Sequence, residues 1–246
     1  MHPWWYRMIM PKPLLKQKAK RTPPKGIAMK TLVLVLLTIS MPAVANEYRV
    51  KNAYISKQLT LKQAQFDLNT VNHSGNLCQL EGSIQQGRWH DGEGCEVHFQ
   101  FTGNRVHISI PDAATDACRQ YCGMNADFVG EYHALPTACQ QQAVAQMEQQ
   151  FKTAYQQKRY PQAAQIKQRY LNQCQDFLHI VDEMRTRNDL AISYKNTGNL
   201  AACRRVLQPI AHHIQPTSHP FEPSMLYKEA YQREVKHAQF NQRICQ

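Results

Sequence analysis

Apolar and polar positions alternate most regularly from Cys95 to Phe101. Cys95, Val97, Phe99 and Phe101 share one face, and Glu96, His98 and Gln100 share the other. After Gly103-Asn104 the alternation resumes, with Val106, Ile108 and Ile110 on one side and His107 and Ser109 on the other. A period of two marks a half-buried strand, and a Gly-Asn pair between two such runs predicts a hairpin. With that pair at the turn, Phe101 faces Val106, Phe99 faces Ile108 and Val97 faces Ile110. A slip of one residue would turn either apolar set towards water. Further strands are predicted from Tyr54-Ile55, over Gln65 to Val71, over Leu77 to Ile84 and over Phe128 to Leu135. Trp89 joins the same core.

The period changes after Pro136, where glycine becomes scarce and glutamine common. Thr137 is a cap residue, and Val144, Met147, Phe151 and Tyr155 recur at helical spacing. Lys158-Arg159-Tyr160 makes a tight connection, and Pro161 opens a second helix with Ala163, Ile166, Tyr170 and Cys174 inward. A third helix over Phe177 to Asn196 turns Phe177, Val181, Met184 and Ala191 to the core. Asn199 caps a fourth, with Leu200, Cys203, Leu207 and Ile210 inward, and Pro209 bends or ends it. Pro216, Pro220 and Pro223 form a linker, and Ser224 caps a last helix to Cys245. The fold class is therefore α+β, with an antiparallel β module over 46–136 followed by a domain of α-helical hairpins over 137–246.

Ala191, Tyr194, Gly198, Leu200, Cys203 and Leu207 have the spacing of a tetratricopeptide unit, in which a glycine turn separates two helices packed through small residues. Ala154, Tyr160, Ala163 and Tyr170 resemble a degenerate copy, with Lys158 in place of the glycine. Tyr160 to Ala163 and Leu200 to Cys203 match at an offset longer than the standard repeat of about 34 residues, which implies an insertion. The resemblance to tetratricopeptide (TPR-like) repeats covers roughly residues 140–212. It implies side-by-side stacking and a surface that binds peptides or protein segments. The whole chain also resembles small uncharacterised exported bacterial proteins with a β module, the CRQYCG segment and helical pairs in that order, a resemblance that carries no activity.

Export is read from Met29 to Ala45, MKTLVLVLLTISMPAVA. Lys30 precedes an apolar run from Leu32 to Ile39, Pro42 follows, and Ala43-Val44-Ala45 matches a signal-peptidase site. The run is too short to span a bilayer, which takes about 20 residues. Residues 1–45 are read as a leader and cleaved signal peptide, with Met29 the true start and Asn46 the first mature residue. This reading changes the charge. The chain carries 29 basic and 18 acidic side chains, net +11. Arg7, Lys12, Lys16, Lys18, Lys20, Arg21, Lys25 and Lys30 all precede the cut and no acid does, which leaves 21 basic against 18 acidic. A net +3 is not the basic footprint of a nucleic-acid binder. The partner expected is a protein of the cell envelope, with no nucleic acid and no stable membrane span.

All eight cysteines, Cys78, Cys95, Cys118, Cys122, Cys139, Cys174, Cys203 and Cys245, lie after the cut. An even number in an exported chain predicts disulfides. Cys78 and Cys95 both point inward from strands, which makes Cys78–Cys95 the expected pair. The three-residue gap in CRQYCG fits neither a thioredoxin-type redox pair nor half of an evident zinc site.

Candidate chemistry is sparse. No nucleophile elbow, phosphate loop or HExxH occurs. His212-His213 with His219 is the densest histidine group, but adjacent histidines lie on different helix faces and do not make a metal pair. His98 and His107 fall on the polar face of the sheet, where solvated side chains are normal. Asp91 and Glu93 flank a turn and are the one candidate carboxylate pair. Arg169, Arg185, Arg187 and Tyr194 are candidate partner-binding residues by type. The expectation is a periplasmic, non-enzymatic protein-binding module with no cofactor, metal or catalytic residue. The alternative is an inhibitor or immunity protein against a cell-wall hydrolase such as lysozyme or an amidase. His73-Ser74-Gly75 is faintly similar to the start of one lysozyme-inhibitor motif. An enzyme using Asp91 or Glu93 ranks last.

Overall fold

The computed structural model describes residues 46–215 and 223–246. The signal reading of Met29 to Ala45, and Pro216, His219 and Pro220, lie outside the described residues. The described chain is α+β, an eight-stranded antiparallel sheet followed by helices. The strands are β1 (Asn46–Arg49), β2 (Ser56–Lys62), β3 (Gln65–Val71), β4 (Leu77–Ser83), β5 (Arg88–His90), β6 (Glu96–Thr102), β7 (Arg105–Ser109) and β8 (Gly130–Ala134). Their order across the sheet is β4-β3-β2-β1-β8-β7-β6-β5.

The sheet curls until its two edge strands meet. Gly82 of β4 leaves room for the Trp89 indole of β5, whose Nε1 would lie 2.2 Å from a Cβ added there. Trp89 also meets Phe66 of β3 edge-on at 6.1 Å. One apolar cluster fills the resulting barrel-like fold, with Leu59, Phe66, Leu68, Leu80, Val97, Phe99, Val106, Ile108, Phe128 and Tyr132 among its members. Each such side chain contributes about 1.5–3 kcal/mol when taken out of water. The hairpin pairing Phe99 with Ile108 and Phe101 with Val106 is present, and Gly103 turns the chain at φ 59°. Phe101 itself lies at the open end of the barrel and is half exposed.

The short α1 (Thr115–Cys118) leads into CRQYCG. The helical part comprises α2 (Gln141–Gln156), α3 (Tyr160–Cys174), α4 (Ile180–Asn196), α5 (Leu200–Leu207), α6 (Ala211–Ile214) and α7 (Lys228–Ile244). Pro161 sits in the first turn of α3, and the Asn199 side chain caps α5 by accepting from the Ala202 amide at 3.0 Å. The chain bends at Pro209 through a 3-10 turn into α6. Three expected helix starts shift. The first helix begins at Gln141 rather than after Thr137, because residues 137–139 form a 3-10 turn. The third helix starts at Ile180, after the His179 ring caps it, because residues 175–177 form a 3-10 turn. The last helix starts at Lys228 rather than at Ser224, whose side chain makes no cap.

The hairpins α2–α3 and α4–α5 close with the same turn. Lys158 (φ 58°) and Gly198 (φ 77°) both take the left-handed conformation. The following residues, Arg159 and Asn199, donate their amides to the carbonyls of Ala154 and Tyr194 at 2.9 Å. Lysine thus occupies the position for which glycine is the usual choice.

All eight cysteines are paired: Cys78–Cys122, Cys95–Cys118, Cys139–Cys174 and Cys203–Cys245. The expected Cys78–Cys95 bridge is not formed. Their strands, β4 and β6, are not neighbours in the sheet, and CRQYCG lies across both. Each strand cysteine therefore meets one cysteine of that segment, with Cα atoms 4.0 and 4.6 Å apart. Four disulfides place the chain in an oxidising compartment. No helix of the described residues is long and apolar enough to cross a membrane.

The sheet and the helices belong to one compact unit. The β1–β2 connection reaches the helical layer, where the Ala53 carbonyl accepts from the Ile180 amide at 2.7 Å. The Glu47 carboxylate accepts from the Gln141 amide at 3.1 Å, and the Tyr54 ring tilts against His213.

Candidate binding groove

The outer side of α3 and the end of α4 enclose a groove of about 710 Å³. Its floor follows from helical spacing, because residues three and four apart on α3 share a face. Gln165, Gln168, Arg169, Asn172 and Gln173 line it, and Tyr194 of α4 closes one side. Two contacts preset its side chains. The Tyr194 hydroxyl donates to Gln168 Oε1 at 3.0 Å, and Gln168 Nε2 donates to Asn172 Oδ1 at 2.8 Å. Burial pushes the Tyr194 phenol up, against a smaller opposing pull from Arg205, so it stays protonated as a donor. No carboxylate, histidine or cysteine lines the groove. Side-chain amides both donate and accept, which matches the groups of an extended polypeptide backbone. Arg169 is exposed and adds the cation.

The structure therefore brings together Arg169 and Tyr194 of the expected residues, and separates the other two. Arg187 is buried, pairs with Glu183 at 2.7 Å and donates to the Val206 carbonyl at 3.3 Å. Arg185 is half-buried between Asp182 at 2.9 Å and Glu234 of α7 at 3.5 Å. Both guanidinium groups tie α4 to its neighbours, and neither lines the groove.

The sequence reading missed an ionic triad beside the groove, in which a buried lysine meets two partly exposed carboxylates. Lys167 is completely buried, with Nζ 2.6 Å from Glu148 and 2.8 Å from Asp189. The same Nζ lies 4.7 Å above the Phe151 ring, so α2, α3 and α4 all hold it. Burial pushes the Asp189 carboxyl up, while the Lys167 charge and hydrogen bond pull it down. A signal was available. Ala163, Lys167, Tyr170 and Cys174 fall on one helical stripe, and a lysine on an inward stripe demands a partner.

The remaining candidates resolve into structure. Asp91 accepts from the amides of Glu93 and Cys95 and from Gln120 and the Tyr121 hydroxyl. Desolvation alone would raise its pKa, but these donors outweigh it and hold the carboxyl below its usual value. It is a turn-forming carboxylate that anchors CRQYCG. His98 meets Glu96 at 2.7 Å on the outer sheet face, and His107 lies near it. His212 and His213 stack at 3.9 Å, and His213 Nδ1 meets the Tyr231 hydroxyl at 2.9 Å. Among the described residues no group of three or more histidine, cysteine, aspartate or glutamate side chains is placed to hold a metal ion. His73 and Ser74 are exposed at the β3–β4 turn, where the Gly75 backbone (φ 85°) packs close to Ser224 and Leu226. No protein-family model matches the chain, and neither a curated protein nor a solved structure does.

Proposed function

We propose that this chain is a periplasmic, non-enzymatic protein-binding module, built on TPR-like hairpins, whose α3–α4 groove takes an extended segment of an envelope protein. The observation that carries this reading is the convergence of Arg169 and Tyr194 on a groove that presents the side-chain amides of Gln165, Gln168, Asn172 and Gln173 beside Pro161, Ala164 and Thr197. Such a lining suits hydrogen bonding along a peptide backbone, with Tyr194 as an aromatic anchor and Arg169 as a selector for acidic residues. The four disulfides and the Met29 to Ala45 segment support the address. The test is capture from an oxidised envelope fraction with the tagged mature chain, in parallel with Arg169→Glu and Tyr194→Ala. The expected result is one stoichiometric partner that both variants lose by about tenfold or more in affinity. A partner retained by both variants would place binding elsewhere and end the groove reading.

A second reading, an inhibitor of a cell-wall hydrolase, is favoured by the β3–β4 turn. Exposed His73 and Ser74 stand there beside Leu77 and Met124, both apolar and exposed. The Asn72 side chain and the Gly123 amide tie the turn to the 123–125 segment, so these side chains share one tip. Lysozyme and amidase assays with equimolar protein test it, and unchanged activity would remove these enzymes as targets.

A further inference from the structure

The charge of the α3–α4 groove is one-sided along the chain itself. Between Glu148 and Asp176, and again between Asp189 and Glu222, the sequence has no acidic residue. These two stretches supply all of α3, the last turns of α4 and all of α5. Arg159, Arg169 and Arg205 lie in them, and all three are exposed. Arg169 lines the groove. Arg159 precedes the first residue of α3, makes no side-chain cap bond, and stands two positions before the lining residue Pro161. Arg205 of α5 is near enough to Tyr194 to pull on its phenol. Among the described residues none of the three forms an ion pair, whereas Lys167, the buried cation of α3, is matched by Glu148 and Asp189. Arginine stays protonated at any working pH, so this cationic character needs no titrating group.

The lining also has a spacing. Pro161 and Ala164 are its apolar groups on α3, and Tyr194 adds an aromatic ring. Arg169 follows Ala164 by five residues. At 1.5 Å per residue that is about 7.5 Å along the helix axis. In an extended segment, residues two apart point the same way and stand about 6.7 Å from each other. An apolar side chain seated against Ala164 and Tyr194 therefore brings the residue two positions away level with the Arg169 guanidinium. A carboxylate at that position can accept a charge-assisted, bidentate pair of hydrogen bonds. A residue only one position away points to the opposite side and cannot.

An anionic membrane fits this charge but not the surface that carries it. Membrane binding needs apolar side chains that project beside the cations. None of the exposed large apolar residues belongs to α3, α4 or α5. Given the groove as the binding site, we propose that the segment it takes carries an apolar and an acidic residue two positions apart. The apolar side chain lies against Ala164 and Tyr194, and the carboxylate lies on Arg169. Arg159 and Arg205 add a longer-range attraction that speeds the capture of an acidic partner.

The test titrates the full mature chain with four end-blocked peptides, followed by NMR. They are SESLSES, SSELESS with its acids next to the leucine, SESSSES without an apolar residue, and SKSLSKS with the charge reversed. SESLSES carries an acid on both sides of the leucine, so it reads the spacing in either chain direction. Expected is that SESLSES binds about fivefold or more tighter than each of the others, shifts the Gln168 and Tyr194 signals, and weakens with added salt. Arg169→Glu lowers its binding by about fivefold or more and turns the preference towards SKSLSKS, which a mere loss of packing would not do. Lys62→Glu on the barrel leaves binding unchanged. Arg169 and Lys62 are exposed, so circular dichroism should show both variants folded. Equal binding of SESLSES and SSELESS at the groove would overturn the spacing, and equal binding of SKSLSKS there would overturn the acidic partner, with the groove still the site. Shifts confined to other surfaces, or binding of anionic phospholipid vesicles and of no peptide, would overturn the groove together with its pattern.

Discussion

Lys167 has no contact with water and two carboxylates within 2.8 Å. Its removal leaves Glu148 and Asp189 unpaired beside a vacated buried site, a cost that water at the two partly exposed carboxylates reduces. Lys167→Met should lower stability by about 1–3 kcal/mol in urea unfolding, less than for a fully buried pair. Adding Glu148→Gln and Asp189→Leu to it should recover most of that loss, because an apolar replacement of the whole network is often neutral. A single-variant loss below about 0.5 kcal/mol would mean that solvent screens the two carboxylates completely. His213 has a different consequence. Burial first, and then the His212 charge, push its pKa from 6.5 down to about 4. Between these values the unfolded chain takes up a proton that the folded chain refuses. The stability from neutral His213 is therefore complete above pH 6.5 and is lost progressively as the pH falls towards 4. After allowance for solvent screening the loss should be about 1–2 kcal/mol. Melting curves of His213→Phe should be flatter than those of the parent across that window, and an unchanged slope would exclude this source of acid sensitivity.

Among the elements, the two hairpin turns offer the sharpest comparison. Lys158 and Gly198 adopt the same left-handed backbone and make equivalent amide bonds. A side chain in that conformation costs about 1 kcal/mol, which glycine avoids. Lys158→Gly should therefore stabilise the protein by about 0–0.6 kcal/mol, once the extra freedom given to the unfolded chain is subtracted. A destabilised Lys158→Gly variant would show that the lysine side chain contributes to the hairpin beyond its backbone. The disulfides act at the same scale, because each staples elements within the sheet or within the helices. Cys139–Cys174 ties the entry to α2 to the end of α3, and Cys203–Cys245 ties α5 to the end of α7.

For the whole molecule, the joint between sheet and helices decides cooperativity. Three separate clusters form the cores, one inside the barrel and two among the helices. The barrel and the helices are joined through the β1–β2 connection, where Ala53 meets Ile180 and Tyr54 meets His213. Because sheet and helices form one compact unit, calorimetry on the oxidised mature chain should give a single transition. Two resolved transitions would mean that the joint adds little to either core. Lys51–Asp176 is exposed at that joint and should contribute no more than about 1 kcal/mol.

Most of the longer strands and helices were legible from periodicity, but not β1 or β5, whose three or four residues are too few to show a period. Alternation marks half-buried strands, and the Gly103-Asn104 turn locks one register, because any slip exposes Val106 and Ile108. Capping chemistry likewise marked Pro161 and Asn199 correctly, since both act through their own backbone neighbours. Non-local properties were not legible. The partner of Cys78 depends on how far the sheet curls and where CRQYCG crosses it. Whether an arginine is an anchor or a strut depends on which carboxylate another helix brings to it, as Glu234 does for Arg185. Local pattern determines elements because each side chain's burial repeats with its own backbone period. The groove and the triad are set by chains that meet only after folding, and only the tertiary structure decides them.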